Sequence, residues 1–385
     1  MMAGAKAQST KPRKIKGTVL VLLCACLVFC DRALGAGKTP AEEAHSSAAL
    51  RSMARVYMAC GGYEKAQPLL ERALNLAQTT NAPDSQVCAC LIDLAYLYEQ
   101  QGNLGQAETM CRLGLELQEK VHNPNHPYVA YTLRILSEIC RGQGRYHEAR
   151  STLERAMTIM RQVRSDDDQE IAPFKVDMAR LLMAQGDYAR AESYFSEAIS
   201  VIEGSYGPEH LYTAKVRGSM ASLYALQGRY AEAEALIRRA LPVHEKIHGP
   251  DHHFLVPLWL VMARIDQAKG DTANARMLLE KSLRVVQNQP DCGRLVESDV
   301  LIQLAQFRIS CREYAKAEDV LHRALKILDS AQGADSGRTA TVLNTLVQVY
   351  RKTGNTAEIA KLERRLEEIH VRKQVAYVPL AAAIQ

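Results

Sequence analysis

The sequence predicts an all-α fold in which helical hairpins stack into an α-solenoid. Three observations carry this prediction: a short motif recurs at a nearly constant interval, small residues stand at fixed distances from it, and the composition favours helix over sheet. The chain has 385 residues, of which 47% are hydrophobic and 24% charged, with one Trp and five Phe. This balance argues against general disorder and provides many residues of high helix propensity.

The first 36 residues differ from the rest of the chain. The basic stretch KPRKIKG precedes the apolar run TVLVLLCACLVFC over residues 18–30, and small residues follow in DRALGAG. This order is typical of a secretory signal peptide. The apolar run is shorter than the roughly 20 residues that a membrane-spanning helix needs. We therefore expect export and cleavage after Gly35 or Ala36. The alternatives are an uncleaved membrane anchor and a lipoprotein acylated at Cys26 or Cys30.

The charge of the chain depends on this segment. Six of the 48 basic residues and one of the 43 acidic residues lie within residues 1–36, so the rest of the chain carries equal numbers of each. The formal net charge of +5 therefore comes from the predicted signal. A neutral remainder has no overall attraction to nucleic acid or anionic lipid, and we expect no nucleic-acid partner.

The recurring motif is Gly-x-Tyr-x-x-Ala or a close variant. Its eight copies begin at residues 61, 102, 144, 186, 228, 270, 312 and 354, at an interval of 41 residues and then of 42. Seven residues before the motif, seven of the eight units have a small residue: Ala54, Ala95, Ser137, Ala179, Ala221, Ala263 and Ala305. Small residues in register let two helices cross closely, so each unit is predicted to be a hairpin with its turn at the Gly.

The fifth unit shows the pattern of both helices. The apolar stripe of the first helix comprises Val216, Met220, Leu223 and Tyr224. The stripe of the second comprises Ala233, Leu236, Ile237, Ala240 and Leu241. Gly228 is predicted to end the first helix, and Pro242 to make the second locally irregular.

These positions resemble the tetratricopeptide repeat (TPR). The 42-residue period, with YGPEH or HGPDH at the joint between hairpins, is similar to the kinesin light chain subtype. The resemblance covers about residues 45–375 and implies a right-handed superhelix of about eight helix-turn-helix hairpins. Residues 37–44 are then a short segment that leads into the solenoid, and residues 376–385 are a C-terminal tail.

Four histidines, His244, His248, His252 and His253, lie close together in the sequence. The equivalents of His252 are His210 and His126, one and three units earlier, so this residue follows the repeat and is expected to close the loop between hairpins. No Cys, Asp or Glu joins the histidines at a recognised ligand spacing, and we expect neither a metal site nor a cofactor. The acidic run over 165–170 occupies another joint and is expected to be a solvated connector.

The repeats leave no room for a separate catalytic domain. Eight units of about 42 residues fill nearly all of the chain after residue 36, and the sequence has no Gly-rich phosphate loop, H-E-x-x-H motif or nucleophile elbow. We therefore expect no enzymatic activity and no small-molecule substrate. Seven cysteines remain after the predicted signal, and most are expected to be small core residues.

The TPR resemblance implies a concave groove lined by the first helix of each hairpin. By analogy with the family, side chains three before, one after and four after the small residue point into it; Lys215, one turn earlier in its unit, joins them. The candidate groove residues are Arg51, Arg55, Tyr96, Arg134, Arg141, Arg180, Lys215 and Arg264. Because Arg binds carboxylates in a bidentate manner, the expected partner is a protein or peptide with an acidic or C-terminal segment. The alternative is that these are ordinary solvated arginines among Glu99, Glu138 and Asp93.

The resemblance does not extend to motor-cargo recognition. Kinesin light chain repeats usually have Asn two residues before the small residue, and this sequence has none there. The leading hypothesis is therefore an exported interaction scaffold. The alternative is a structural or assembly factor that oligomerises through its terminal repeats, with the apolar tail YVPLAAAIQ packing on a neighbour or capping the last hairpin.

Overall fold

The computed structural model describes residues 40–289, 294–330 and 337–375. Within these ranges the chain forms sixteen α-helices and one short 3-10 helix, with no strand. Consecutive helices pair into eight hairpins, which confirms the predicted α-solenoid. The predicted signal, its cleavage and acylation sites, Cys292 and the tail 376–385 lie outside the described residues.

Each unit consists of a first helix and a second helix, numbered along the chain. The first helices are α1 Pro40–Ala59, α3 Asp84–Gln100, α5 Pro127–Gly142, α7 Ala172–Gln185, α9 Leu211–Leu226, α11 Val256–Lys269, α13 Arg294–Ser310 and α15 Gly337–Thr353. The second helices are α2 Tyr63–Thr79, α4 Leu104–His122, α6 Tyr146–Arg161, α8 Tyr188–Tyr206, α10 Tyr230–His248, α12 Thr272–Asn288, α14 Tyr314–Ser330 and α16 Thr356–Val375. Helix α1 begins within the segment 37–44 that was expected to lead into the solenoid.

The turn of each hairpin uses a left-handed residue. In unit 5, Gly228 has φ +76°, and the backbone N–H of Arg229 donates back to the carbonyl of Tyr224 at 2.9 Å. This geometry ends the first helix and reverses the chain, as the sequence predicted. Unit 7 has Arg312 at the same place with φ +61°, a conformation that is strained for a residue with a side chain.

The interior follows the predicted register. All seven small residues of the first helices are buried, and so are Val216, Met220, Leu223 and Tyr224 of unit 5. On α10, Leu236 and Leu241 are half-buried and the other stripe residues are buried. Pro242 does not end α10, which continues to His248. The core therefore runs along the solenoid between adjacent hairpins instead of forming one globular centre.

The joints between hairpins explain the periodic histidines. His126, His210 and His252 each precede the first turn of a unit, and in each the ring Nδ1 accepts a hydrogen bond of 3.2 Å from the backbone N–H two residues on. Each ring also stacks on the aromatic ring four residues earlier, at centroid distances of 4.5, 4.7 and 5.0 Å. The prediction that these histidines close the loops is confirmed.

The superhelix returns onto itself after five units. The turn of unit 1 meets the joint before unit 6, where a methyl group added to Gly61 would lie 2.6 Å from Nε2 of His253. The turn of unit 2 meets α13, where a methyl on Gly102 would lie 2.6 Å from Cγ of Leu295. At unit 8, a methyl on Gly337 would lie 3.4 Å from the hydroxyl of Tyr146 in unit 3. We call these three contacts the seam.

Four of the cysteines are core residues, in line with the sequence analysis. Cys88, Cys90, Cys111 and Cys140 are buried free thiols, whereas Cys60 is exposed. Burial raises the pKa of Cys111 and of Cys140 to about 12, which makes these thiols poor nucleophiles. None of the described helices is both long enough and apolar enough to cross a bilayer.

Candidate functional site

The first helices face the inside of the superhelix and carry every candidate groove residue. Their charges are arranged in pairs that join neighbouring units. In unit 1, Arg51 and Arg55 both bind Asp93 of unit 2, at N–O distances of 2.8 and 2.9 Å. One carboxylate therefore offsets one of the two positive charges that the sequence offered for a ligand.

The same arrangement recurs between units 3 and 4. Arg134 donates to Asp177 at 2.7 Å, and Arg180 lies 3.6 Å from the other oxygen of that carboxylate. Arg180 also donates to the hydroxyl of Ser219 in unit 5 at 3.2 Å. These contacts engage both guanidinium groups in bonds within the solenoid.

Arg141 is also satisfied within the protein. It forms an ion pair of 2.7 Å with Glu138, one turn earlier on α5. Together with Glu99 of unit 2 and Arg338 of unit 8, this pair forms a charged cluster across the groove. Burial, and then the nearby Glu138, raises the pKa of Glu99 to about 7, so this carboxyl takes up a proton near neutral pH.

The acidic partners were visible in the sequence but were not assigned to this role. Asp93 and Asp177 stand two residues before the small residue of their helices, the position at which kinesin light chain repeats have Asn. The structure shows that an arginine three before the small residue of one unit binds the Asp at this position of the next unit. Charge alternation between adjacent units was the signal that could have found them.

Two further candidates, Lys215 and Tyr96, remain open to the groove. The Nζ atom of Lys215 lies 5.4 Å from the ring centre of Phe254, and burial followed by the charge of Arg180 lowers its pKa. Tyr96 is 41% exposed, and burial followed by the charge of Glu99 raises the pKa of its hydroxyl. Both side chains present polar groups that a partner can reach.

Arg264 on α11 differs from the other arginines proposed for the groove. Within the described ranges it makes no ion pair and no hydrogen bond. It is half-buried, and burial lowers the pKa of its guanidinium group, against a smaller opposite effect of Tyr230 and Tyr188. Counting only partners in the part of the chain that the structure describes, Arg264 is the proposed groove arginine with its full hydrogen-bonding capacity left for a ligand.

Arg264 lines a cavity of about 530 Å³ inside the superhelix. Residues of every first helix from α5 to α15 contribute to its wall. Two other arginines in the wall, Arg141 and Arg338, have carboxylate partners; Arg338 binds Asp299 at 2.7 Å. Ser222, Gln303 and Thr341 add neutral polar groups.

A second cavity, of about 380 Å³, lies in units 1 to 3. Its wall is mostly apolar and includes Met58, Ile92, Ile135 and the ring of Tyr96. Arg55 and Asp93 supply the polar edge. The groove thus combines a cavity of mixed polar and apolar lining with a smaller apolar pocket, which is the composition of a site for a segment with both kinds of side chain.

Four histidines come together at the joint between units 5 and 6. Among the described side chains, no group of three or more His, Cys, Asp or Glu residues is placed to hold a metal ion. His244 is buried, with neither ring nitrogen hydrogen-bonded. Burial, and then the neighbouring His248 and Lys215, lowers the pKa of His244 to about 4, so the ring is neutral at pH 7.

Two family models match successive parts of the chain. The model for the MalT-like TPR region matches residues 29–217, and the model for the tetratricopeptide repeat matches residues 215–288 and 296–370. No curated protein matches the sequence.

Several solved structures are similar to the chain at low sequence identity. The apo form of RapI is 15% identical with a TM-score of 0.51, over 75% of this chain and 99% of that chain. A Rap protein complexed with competence and sporulation factor is 14% identical with a TM-score of 0.50, over 86% of this chain and 78% of that chain. Repeats of a putative kinesin light chain from Podosopora anserina are 21% identical with a TM-score of 0.42, over 52% of this chain and 97% of that chain.

The matched regions, the eight hairpins and the length of the repeat agree with one another. The chain is a tetratricopeptide repeat protein built of 42-residue repeats.

Proposed function

We propose that this chain is an exported interaction scaffold that binds a protein or peptide segment inside its superhelix, with a carboxylate of the partner on Arg264. The observation that carries the proposal is the lack of a counter-ion at Arg264 within the described structure, in the wall of the 530 Å³ cavity. A half-buried guanidinium group without a partner is costly, and a carboxylate that binds it in a bidentate manner removes that cost.

The groove arginines do not contribute equally to this proposal. Arg51, Arg55, Arg134, Arg141 and Arg180 already bind carboxylates of the protein. An acidic ligand would have to compete with these internal ion pairs, whereas Arg264 has no ion pair with any described residue. The neutral polar groups of Ser222, Gln303 and Thr341 in the same wall suit the backbone of an extended segment.

The apolar pocket refines the partner that we propose. Met58, Ile92 and Ile135 offer a site for an apolar side chain, and the ring of Tyr96 covers one edge. A segment with an apolar residue and a free or acidic carboxylate satisfies both cavities. Hydrophobic anchors with a small number of oriented polar contacts are typical of specific peptide sites.

The relatives are consistent with a binding role. The TPR fold is typically a scaffold for interactions and not a catalyst. One of the solved structures of similar fold is a Rap protein complexed with competence and sporulation factor. These likenesses support a protein or peptide partner, and the chemistry of that partner comes from the residues of this chain.

A peptide library tests the proposed chemistry without a known partner. The library is prepared with free C-terminal carboxylates and, separately, with C-terminal amides and no acidic residues. Wild-type protein is expected to select peptides from the first library only, and Arg264→Ala is expected to select none. Selection of the same peptides by both proteins would contradict the role of Arg264.

The proposed export rests on the basic and apolar sequence of the first 36 residues. Fusing this segment to alkaline phosphatase, which is active only after export, tests it directly. Enzyme activity with the intact segment, and its loss when two apolar residues within 18–30 are changed to Asp, is the expected result. Activity that persists after the change would contradict a signal.

A further inference from the structure

The cavity wall is closed into a ring by the seam. Every first helix from unit 3 to unit 8 contributes to the wall. Tyr146 of unit 3 also lies against Gly337 of unit 8, so the two units at the ends of this wall are in contact. Inside the ring, Arg338 of unit 8 lies close enough to Arg141 of unit 3 and Glu99 of unit 2 to interact with both electrostatically. The groove is therefore surrounded by protein around the superhelix axis.

Glycine at the seam has a second role besides forming the turn. Gly61 and Gly102 have φ +79° and +81°, and both are buried by the next turn of the superhelix. Gly186 and Gly228 have the same conformation, with φ +82° and +76°, but they are exposed and a methyl group on either would meet nothing within 4 Å. Units 1 and 2 thus need Gly for close approach as well as for backbone conformation.

The His253 side chain of the seam is held in place by residues of its own part of the superhelix. The ring of His253 lies with Nδ1 2.9 Å from the amide oxygen of Gln289, and the amide nitrogen of Gln289 donates to the carbonyl of Asp251 at 2.9 Å. These contacts present the His253 ring to the turn of unit 1 in a fixed orientation. The seam is consequently a defined contact between two preformed surfaces.

We propose that the seam is a latch that converts the groove into a tunnel, so that the site takes chain ends and short peptides that enter along the axis. An internal segment of a folded protein cannot enter a closed ring unless the seam opens. The ligand preference rests on the proposed function, whereas closure of the ring does not. Because the seam joins only a few side chains, it opens more easily than the interfaces between adjacent hairpins.

Two matched double variants test the latch in the free protein. Gly61→Ala with Gly102→Ala adds a methyl group at the seam, and Gly186→Ala with Gly228→Ala adds the same strain at exposed turns. Small-angle X-ray scattering is expected to show a larger radius of gyration for the seam variant only, with unchanged helical circular dichroism for both. Equal scattering from the two variants would overturn the latch.

Access to the cavity tests the tunnel. Ser222, which lines the cavity, is changed to Cys, and its modification is followed by peptide-resolved mass spectrometry with N-ethylmaleimide and with a branched 5-kDa polyethylene glycol maleimide. We expect the small reagent to react in every background. The bulky reagent should react roughly tenfold faster or more in the Gly61→Ala, Gly102→Ala variant. This factor is the change in the population of the open seam that an overpacking cost of this kind produces. Equal rates of the bulky reagent in all backgrounds would overturn the tunnel.

These results are separable from a failure of the proposed function. Both measurements use the free protein, so they report on closure even where no peptide binds. If the seam variant expands but no peptide is selected, the latch is supported and the proposed peptide ligand is contradicted. Peptide selection with unchanged scattering and access would keep the binding site and remove the latch.

Discussion

Arg134 of unit 3 donates to Asp177 of unit 4 at 2.7 Å, and Asp177 is buried. The contact crosses the interface between two hairpins on the concave side. It therefore links the stacking of the units to the charge of the groove, and it shows that a basic residue at a groove position can serve the solenoid and not a ligand.

Replacing Arg134 by Ala is expected to destabilise the solenoid. The change leaves the buried carboxylate of Asp177 with only the longer contact to Arg180. Removing one partner of a buried ion pair typically costs about 3 kcal/mol or more. Chemical denaturation measures the free energy of unfolding. The matched control is Arg155→Ala, whose exposed ion pair with Glu119 is worth less than about 1 kcal/mol; equal losses in the two variants would contradict the structural role of Arg134.

The histidines at the joint of units 5 and 6 predict a loss of stability in acid. The pKa of His244 falls from its usual 6.5 to about 4, first because of burial. The unfolded chain then binds the proton before the folded chain does, so the contribution of His244 is complete above pH 6.5 and is lost as the pH falls toward 4. The loss is on the order of 3 kcal/mol for a shift of this size.

Urea denaturation at pH 7, 6 and 5 measures this effect. His244→Leu is expected to reduce the slope of stability against pH in this window, because the replacement cannot take up a proton. Ala235→Leu, at an exposed position of α10 and without a titratable group, is the control and should leave the slope unchanged. An unchanged slope in His244→Leu would assign the acid sensitivity to other groups.

The turn of unit 7 predicts a stabilising substitution. Arg312 is exposed and has φ +61° where most units have Gly. Arg312→Gly is expected to relieve backbone strain worth roughly 1 kcal/mol, offset in part by the greater freedom of Gly in the unfolded chain. Thermal denaturation should show a higher Tm, and a lower Tm would indicate that the Arg312 side chain makes a compensating contact.

The close crossing of helices in unit 5 predicts a strongly destabilising enlargement. Ala221 is fully buried where α9 packs on its neighbours, so Ala221→Leu should overpack the interface by roughly 1–3 kcal/mol. Because each hairpin leans on its neighbours, the loss should appear in the unfolding of the whole array. Ala235→Leu, at an exposed position of α10, should melt like the wild type.

Much of the fold was predictable because the motif and the small residues recur at a regular spacing in the sequence. Ala221 marks the helix crossing and Gly228 the turn of unit 5. Their equivalents at the same spacing mark the crossings and turns of the other units. The role of His252 followed from its counterparts His210 and His126. Local packing determines all of these features, so a pattern of 42 residues is sufficient to find them.

The seam and the pairing of charges were not predictable in this way. The contact of Gly61 with His253 depends on the pitch of the superhelix, which accumulates from small rotations between units and leaves no motif. The family positions correctly put Arg134 and Arg264 on first helices. They do not show that Arg134 binds Asp177 whereas Arg264 has no partner among the described residues, because that difference depends on the adjacent unit.

Affinity of a selected peptide for three proteins tests the central claim most directly. Calorimetry compares wild type, Arg264→Ala and Arg238→Ala, the last being an exposed arginine on α10 paired with Glu234. A charged hydrogen bond is typically worth about 1.5–3 kcal/mol, so we predict a loss of roughly tenfold or more for Arg264→Ala and none for Arg238→Ala. Amidation of the peptide carboxylate should cause the same loss in wild type and no further loss in Arg264→Ala. Equal affinity of wild type and Arg264→Ala would contradict carboxylate capture in the groove.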